Sequence, residues 1–362
     1  MTVPTPSPTD DRITLVTGAT GFTGSRLVHA LVADGQSVRV IARSAVRARD
    51  VLPGGVEIIE GDLTDPVTVS RAVHGAGVVY HLAAVYREAK HGKLTYSDVN
   101  VGATKLLLEA ARAGKVTRFV HCSTVGVHGH IARPPADEQY PFGPGDVYQR
   151  SKYEGERLAL SYAERYGVPV AVARPTAIYG PGDTRLLKLF RMVAKRRFLL
   201  LDGGRVFYHM VYVDDLVRGL RLLGSHPRAV GEVFILGGEE YRTLAELASM
   251  IAAELGVPAP WIKLPARPFQ MLGSICERVC VPLGIEPPIH RRRVDFYTKS
   301  RAFTIEKAKR LLGYRPLVSL EEGIARTAEW YRINGYLGTS ADPGAPAETS
   351  IEHLTRGSRT PV

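Results

Sequence analysis

Residues 13–24 read ITLVTGATGFTG, a short apolar run followed at once by three glycines at G-x-x-G-x-x-G spacing. The run is rich in β-branched side chains and predicts a strand, and the residues after it show the apolar spacing of a helix. Gly18 permits the tight bend out of the strand, Gly21 lets the backbone approach a pyrophosphate, and Gly24 lets the helix pack closely. Because free N–H groups at a helix start attract phosphate, this segment predicts a dinucleotide-binding turn.

Further apolar runs alternate with helical patterns along the chain. They lie at Val38–Ala42, Val56–Glu60, Val78–Leu82, Arg118–Ser123 and Val168–Arg174. Runs that are apolar nearly throughout predict strands covered on both faces. We therefore expect an α/β fold built on a doubly wound parallel (Rossmann) sheet.

The regular alternation of strand and helix patterns ends at about residue 180. The second half of the chain predicts a smaller, mostly helical C-terminal substrate-binding lobe. Its helical patterns lie at 184–196, 215–224, 243–255, 267–281, 304–312 and 319–333, with a returning strand near 232–236. We expect a nucleotide-binding domain over 12–180, rejoined by about 206–238, and a discontinuous substrate-binding lobe over 181–338. Residues 1–11 and 339–362 are rich in Pro, Ser, Thr and Gly and predict disordered tails.

Composition excludes several classes of protein. Three cysteines are too few for a disulfide framework, and no second ligand pair accompanies Cys276 and Cys280, so we expect no metal site. The net charge of +11 is dispersed along the chain and no nucleic-acid-binding motif is present. Neither a secretion signal nor an apolar run long enough to span a membrane is visible, so we expect a cytoplasmic protein.

Two positions after the second and third strands bear on the choice of cofactor. Arg43 stands where NAD-binding chains usually carry an acidic residue for the ribose 2′-hydroxyl, and an arginine suits the extra phosphate of NADP. Asp62 follows the third strand, where its carboxylate can accept a hydrogen bond from the adenine amino group. We favour NADP, with NAD as the alternative.

Tyr148 and Lys152 form a Y-x-x-x-K pair before a helical pattern, and residues four apart share one helix face. An ammonium beside a phenol favours the phenolate, which makes the tyrosine a general acid or base. The chain holds a second match, Tyr86 to Lys90, in a polar loop, which we interpret as a coincidence or a loop contact.

Two further side chains complete the predicted catalytic set. Thr124, at the end of the fifth strand, is the expected partner for the substrate oxygen, with Ser123 as its competitor because alternate side chains point to opposite faces. Asn100 can kink its helix or hold a water in a proton relay, or it can simply cap that helix.

These features together resemble the extended short-chain dehydrogenase/reductase family, which includes the NAD-dependent epimerases and dehydratases. The resemblance covers nearly all of residues 12–337. It is carried by the segments Thr17–Gly24, Asp62-Leu63, His81–Ala84, Asn100–Thr104, Ser123-Thr124, Val127–Gly129, Tyr148–Lys152, Arg174–Thr176, Ile178–Pro181 and Val211–Asp215.

The resemblance implies roles for individual residues. It makes Thr124, Tyr148 and Lys152 catalytic with Asn100 assisting. Implied cofactor contacts are Gly18, Thr20, Gly21, Phe22, Thr23, Gly24, Arg43, Asp62, Leu63, Ala83, Ala84, Tyr148, Lys152, Pro175 and Ile178. We also expect Tyr86, His128 and His209 to contact substrate. Members often pair as homodimers through the helices that carry Asn100 and Tyr148.

Two departures argue against a standard nucleotide-sugar enzyme. Val127-His128-Gly129 stands where such enzymes often read Val-Tyr-Gly, and Phe207–Met210 stands where they often read Arg-Asp-Phe. The C-terminal part, from Pro287 to Pro316, is instead similar to the 3β-hydroxysteroid and sterol-4-carboxylate dehydrogenase branch. That branch implies a bulky, apolar, hydroxylated substrate.

The residues Phe269, Leu272, Ile275 or Cys276, Val279 and Leu283 share one predicted helical face. This face can line an oily pocket, rest on a membrane surface as a peripheral contact, or pack on the core as a lid helix.

Three functions remain open at this point. The first is an NAD(P)-dependent oxidoreductase, resembling a 3β-hydroxysteroid dehydrogenase or a ketoreductase, that acts on a bulky secondary alcohol or ketone. The second is a nucleotide-sugar epimerase of the UDP-sugar 4-epimerase type. The third is a regulator that binds NADP without doing chemistry.

Overall fold

The computed structural model describes residues 12–85, 96–280 and 291–337, and its centre is a seven-stranded sheet. The strands of this sheet are β1 Ile13–Thr17, β2 Val38–Ala42, β3 Glu57–Glu60, β4 Ala76–His81, β5 Arg118–Cys122, β6 Val170–Pro175 and β10 Val233–Leu236. They lie in the order β10-β6-β5-β4-β1-β2-β3, and every neighbouring pair is parallel. The doubly wound α/β fold predicted from the sequence is confirmed.

Hydrophobic cores lie on both faces of the sheet, which is why its strands are apolar nearly throughout. In β1, Leu15 belongs to one core and its neighbour Val16 to the other, since successive side chains of a strand point to opposite faces. Every residue of β2 and of β6 is buried. The flanking helices are α1 Phe22–Ala33, α2 Ala45–Val51, α3 Pro66–Val73, α4 Ala103–Ala113, α5 Val147–Tyr166, α7 Val213–Ser225 and α11 Glu306–Leu312.

The C-terminal part is mostly helical but also contains two small sheets that the sequence did not predict. Its other helices are α6 Leu187–Ala194, α8 Leu244–Glu254, α9 Ala266–Cys280, α10 Arg291–Thr298 and α12 Leu320–Ile333. The small sheets pair β7 Ala177–Tyr179 and β11 Tyr241–Thr243 with β9 Phe207–Tyr212, and β8 Leu200–Leu201 with β12 Lys263–Leu264. Strands of two or three residues are too short to show a period of two.

Helix α5 begins at Val147, four positions before the start that the sequence predicted. The Asp146 carboxylate accepts a hydrogen bond from the Gln149 backbone N–H at 2.8 Å and so caps the helix. Tyr148 therefore lies in the first turn of α5 rather than in a loop before it. At the other end, Gly167 closes the helix in the left-handed conformation.

In the part of the chain that the structure describes, no helix combines the length and the apolar character needed to cross a bilayer. Where the nucleotide-binding domain gives way to the C-terminal lobe remains a prediction.

Candidate active site

The glycine turn brings three backbone segments into contact at the carboxyl edge of the sheet. Gly18 has φ +70°, and a Cβ there would lie 2.7 Å from the backbone nitrogen of Ala83. A Cβ on Gly24 would lie 2.1 Å from the carbonyl oxygen of Gly18. Since van der Waals contact needs more than 3 Å, both positions require glycine. The same close approach leaves the start of α1 open to a pyrophosphate, so the turn fits a dinucleotide.

Thr17, the last residue of β1, stabilises the glycine turn through hydrogen bonds. Its hydroxyl accepts a hydrogen bond from the Ala83 N–H at 3.3 Å and contacts Nδ1 of His81 at 2.8 Å. His81 reaches in the other direction to the Thr104 hydroxyl on α4 at 2.9 Å. A buried chain of polar groups thus connects the glycine turn with the helix that follows Asn100.

Arg43 and Asp62 lie near each other at the ends of β2 and β3, and both are exposed. The Asp62 carboxylate accepts hydrogen bonds from the Thr64 backbone N–H at 2.8 Å and hydroxyl at 2.7 Å. These hydrogen bonds, with help from the Arg43 charge, lower the pKa of Asp62. Asp62 is therefore ionised at neutral pH, and Leu63 beside it packs on one of the two cores.

Arg185 connects two residues predicted to contact the cofactor. Its guanidinium donates to the Ile178 carbonyl at 3.0 Å and lies over the Phe22 ring at 5.4 Å. Asp183 accepts from its Nε at 2.6 Å. Sequence reasoning missed Arg185, because no motif connects it with the neighbouring Asp183 and Ile178 or with the distant Phe22. Pro175, nearby, is the buried last residue of β6.

Tyr148 is half-buried in the first turn of α5, and Lys152, one turn later, is only 2% exposed. Burial lowers the pKa of the Lys152 ammonium, while Cys122 and Glu156 partly offset that effect. The pair lies on the inner side of the helix, next to the end of β5. The catalytic role of this pair remains a prediction.

Asn100 connects helix α5 to the loop after β4 by hydrogen bonds. Its side-chain amide donates to the Ser151 hydroxyl at 2.9 Å and to the Val85 carbonyl at 3.3 Å, and its oxygen accepts from the Val85 N–H at 2.9 Å. Ser151 in turn donates to the Tyr148 carbonyl at 2.8 Å. The residue lies in a π-helical turn, Asp98–Gly102, that interrupts the start of α4. Such turns are frequent at functional sites.

Ser123 and Thr124 point to different surroundings. The Ser123 hydroxyl donates to the buried Glu156 carboxylate at 2.6 Å. Thr124 is half-buried, and its hydroxyl accepts from the Gly126 N–H at 3.1 Å, at the start of a short 3₁₀ helix, Val125–His128. This geometry favours Thr124 over Ser123 as the hydroxyl available to a substrate, and its role remains a prediction.

A buried ion pair involves Glu156, one turn after Lys152 on helix α5. Glu156, fully buried one turn after Lys152, accepts from Arg174 Nε at 3.1 Å and from Nη2 at 2.5 Å. Arg174 also donates through Nη1 to His128 Nε2 at 3.0 Å. Because a guanidinium only donates, Nε2 is the acceptor, and the His128 proton lies on Nδ1, facing the Pro141 carbonyl at 3.3 Å.

Two of the three predicted substrate contacts, His128 and His209, lie in the described part of the chain. His128 and His209 are both buried, and His209 contacts the Gly238 carbonyl at 2.8 Å through Nε2. Tyr86 lies outside the described residues, as does Lys90. Substrate contact by these side chains remains a prediction. Across the three described stretches, no three His, Cys, Asp or Glu side chains are grouped to hold a metal ion.

Comparison with known proteins gives the family context of this site. The sequence profile of the "NAD dependent epimerase/dehydratase family" matches residues 14–237. The chain is 31% identical to "3beta-hydroxysteroid-dehydrogenase/decarboxylase isoform 1" of Arabidopsis thaliana, with 88% of this chain and 79% of the relative covered. It is 32% identical to "4-hydroxy-2-methyl-3-oxo-4-farnesyl-3,4-dihydroquinoline-1-oxide ketoreductase" of Stigmatella aurantiaca, over 86% of this chain and 94% of the relative.

Solved structures are similar over the same length. The UDP-glucuronic acid 4-epimerase of Bacillus cereus in complex with NAD superimposes with a TM-score of 0.71 and 26% sequence identity. The match covers 89% of this chain and 99% of the epimerase. The matched profile is that of an NAD-dependent family and the relatives are named as a dehydrogenase and a ketoreductase, so this chain is an NAD(P)-dependent enzyme.

Removing one partner of the buried ion pair should destabilise the protein strongly. We expect Glu156→Gln to lower the free energy of unfolding by about 3–5 kcal/mol, because the buried Arg174 charge loses its counter-charge. Urea denaturation followed by circular dichroism measures the change. Glu154→Gln, at an exposed position of the same helix, is the matched control and should change stability by less than about 0.5 kcal/mol. Equal stabilities of the two variants would contradict the expectation.

Stability should fall as the pH drops below neutral. Burial lowers the pKa of His81 to about 3, and it also lowers the pKa of His121, His128 and His209. The unfolded chain binds these protons near pH 6.5 and the folded chain does not, so stability rises with pH across this window. His81 alone should cost about 1.4 kcal/mol of stability at about pH 5.5, and the other three add to the loss in the same direction.

Denaturation midpoints measured between neutral and mildly acidic pH test this expectation. His81→Gln should make the pH dependence shallower by one proton, since one buried imidazole is removed. His74→Gln, at an exposed position, should leave the slope unchanged. A native slope that stays flat down to mildly acid pH would refute the assignment of neutral buried imidazoles.

Proposed function

The chain belongs to the NAD-dependent epimerase/dehydratase family, and on that premise we propose an oxidoreductase that uses NADP. Its reaction is hydride transfer at a secondary alcohol or ketone carbon of a bulky, largely apolar substrate. The observation that carries the proposal is the pair formed by Tyr148 and the buried Lys152 at the carboxyl edge of the sheet. We expect it to act in the cytoplasm.

The chain's own side chains divide the work of the reaction. When bound, the nicotinamide cofactor supplies or accepts the hydride. Tyr148 gives its phenolic proton to the carbonyl oxygen during reduction and takes it back during oxidation. Lys152 favours the phenolate through its charge, and Thr124 donates a hydrogen bond to the same substrate oxygen. Asn100 keeps the first turn of α5 in place through Ser151.

The substrate class rests on relatives and on two sequence departures. The relatives from Arabidopsis thaliana and Stigmatella aurantiaca are named for a hydroxysteroid and for a farnesylated quinoline, which are both large and apolar. His128 and Phe207–Met210 replace the residues that often mark nucleotide-sugar enzymes. These points support a sterol-, lipid- or polyketide-like alcohol.

A nucleotide-sugar epimerase is the second candidate. The family profile and the similarity to the Bacillus cereus epimerase favour it. An epimerase keeps its cofactor bound through both hydride transfers, whereas an oxidoreductase releases the reduced or oxidised cofactor in every turnover. A regulator that binds NADP without chemistry is a minor candidate, because the tyrosine and lysine are both present.

Turnover of wild-type protein and of Tyr148→Phe tests the proposal. Assayed against steroid alcohols, ketones and UDP-sugars, the wild type should release free NADPH while oxidising an apolar alcohol. Tyr148→Phe should lose about 10²–10⁴-fold in kcat, since the proton donor is removed. Tyr166→Phe, exposed at the end of the same helix, is the control and should keep full activity. Epimerised UDP-sugar without cofactor release would favour the second candidate.

The cofactor preference rests on Arg43, whose guanidinium stands at the end of β2. We expect Arg43→Ser to weaken NADP binding by about 10–100-fold, the effect of losing hydrogen bonds to a charged phosphate. NAD binding should not change, because NAD has no 2′-phosphate. Titrations with both cofactors measure the effect, and Arg47→Ser, at an exposed position on α2, is the control. Equal losses for NADP and NAD would refute a phosphate contact.

We further propose a homodimer paired through α4 and α5, which pack beside each other and carry exposed outer faces. The full chain should sediment at twice its mass of 39.5 kDa. Leu158→Arg places a charge at a half-buried apolar position of α5 and should shift the protein to monomer. Glu164→Arg, exposed near the end of that helix, should leave the dimer intact. Monomeric wild-type protein at all concentrations would rule this pairing out.

A further inference from the structure

Helix α9, Ala266–Cys280, packs on the protein through one face. Ala266 is buried and Phe269 lies against the same small core, which also contains Leu201 and Val294. The Asp202 carboxylate accepts from the Ala266 N–H at 3.0 Å and fixes the start of the helix. The face of α9 that carries Ala266 and Phe269 therefore makes the contacts with this core.

The opposite face of α9 is apolar as well, and it is exposed. Met271 is 66% exposed, Ile275 is 55% exposed and Leu272 is 48% exposed. Arg267 and Arg278 are exposed at the two ends of the same face. The spacing of 267, 271, 275 and 278 places these four side chains in one stripe along the helix. We call these four residues and Leu272 the outer stripe.

The outer stripe is more apolar than the solvent-facing side of a helix normally is. A helix that packs by one face normally carries polar side chains on the other. The predicted single apolar face is thus divided: Phe269 packs inward, whereas Leu272 and Ile275 point outward. The side chain of Val279 and residue Leu283 are outside what the structure describes. An outward apolar stripe indicates a contact beyond this face.

The segment before α9 extends the same surface chemistry. Trp261 is 78% exposed, and Lys263 is exposed two residues later in β12. Arg205 and Lys263 line one shallow depression beside this segment, together with Gly203 and with Asp202, whose carboxylate accepts from the Ala266 N–H. Tryptophan next to basic residues is typical of protein surfaces that meet the boundary between lipid headgroups and acyl chains.

We propose that the outer stripe and Trp261 dock on an anionic lipid bilayer. Arginines at both ends of the stripe match phosphate headgroups, while the methionine, isoleucine and leucine between them bury their apolar surface below. The stripe carries no carboxylate, and the net charge of +11 attracts the chain to a negative surface. Charge complementarity therefore favours an anionic lipid surface over an uncharged apolar partner.

Docking goes beyond the proposed function, although the two are compatible. A bulky apolar alcohol partitions into lipid, so an enzyme resting on the bilayer meets its substrate there. Vesicle binding requires neither cofactor nor turnover. The docking and the oxidoreductase activity can consequently fail separately.

Flotation of the full chain with vesicles tests the docking. The wild type should bind phosphatidylcholine vesicles that contain phosphatidylglycerol, bind pure phosphatidylcholine far more weakly, and detach as salt is raised. Trp261 emission should shift to shorter wavelength on binding, and Trp261→Phe should remove that shift. Met271→Asp with Ile275→Asp should reduce binding at least about tenfold, because two charges enter the apolar contact.

Two matched controls separate the surface from general effects. Val67→Asp with Ile333→Asp changes two residues that are 75% and 74% exposed elsewhere and should leave binding intact. Arg267→Gln and Arg278→Gln should each weaken binding to the anionic vesicles about fivefold. Unchanged NADP affinity shows that each variant is folded.

Several results would overturn the proposal. They are the absence of vesicle binding by the wild type, equal binding to neutral and anionic vesicles, and full binding by the Met271→Asp and Ile275→Asp variant. A change in sedimenting mass caused by that same variant would instead make the stripe an interface between two copies.

Discussion

The ion pair between Glu156 and Arg174 joins helix α5 to strand β6 in the interior, where both side chains are almost completely buried. Taking two charges out of water is unfavourable, and the pair is tolerated because nearly every polar atom has a partner. Ser123 approaches from β5 and His128 from the turn that follows it. Four elements therefore meet at one point, and helix α5 has little freedom to shift relative to the sheet.

The surroundings of Lys152 follow from this arrangement. His81 and His121 lie near it with ring centroids 5.5 Å apart, and burial together with the Lys152 charge lowers the pKa of both. Neutral imidazoles do not add positive charge beside the ammonium. His81 is in turn hydrogen-bonded to Thr17, whose hydroxyl accepts from the Ala83 N–H at the glycine turn.

The sequence predicted the main sheet well because burial on both faces makes each strand an apolar run. The glycine turn could also be predicted from the sequence. Gly18 and Gly24 have no room for a side chain, so the glycine spacing itself marks the turn. The start of α5 was predicted four residues late because the Asp146 cap precedes any apolar period. The strands β7 and β11 have three residues each and left too weak a pattern to detect, so their pairing with β9 was not predicted.

Part of the site could not be predicted, because its residues come from separate elements. Glu156 offered one usable signal, its position one turn after Lys152 on the same helix face. Arg174 and Arg185 offered none, since the position of an arginine in a sequence does not tell which carboxylate or carbonyl its guanidinium will contact. Contacts of this kind depend on how helices pack on the sheet, and a single sequence does not record that packing.

The π-helical turn at Asp98–Gly102 has a consequence for how the chain can change. A π turn contains one residue more than the α-helical turn it replaces. Deleting a single residue there would let α4 run on as ordinary helix and would rotate Asn100 by about 100° around the axis. Its amide would then face away from Val85 and Ser151. The direction in which Asn100 points therefore depends on a one-residue insertion. A sequence alignment that places no gap in this helix would assign the wrong residue to the position of Asn100.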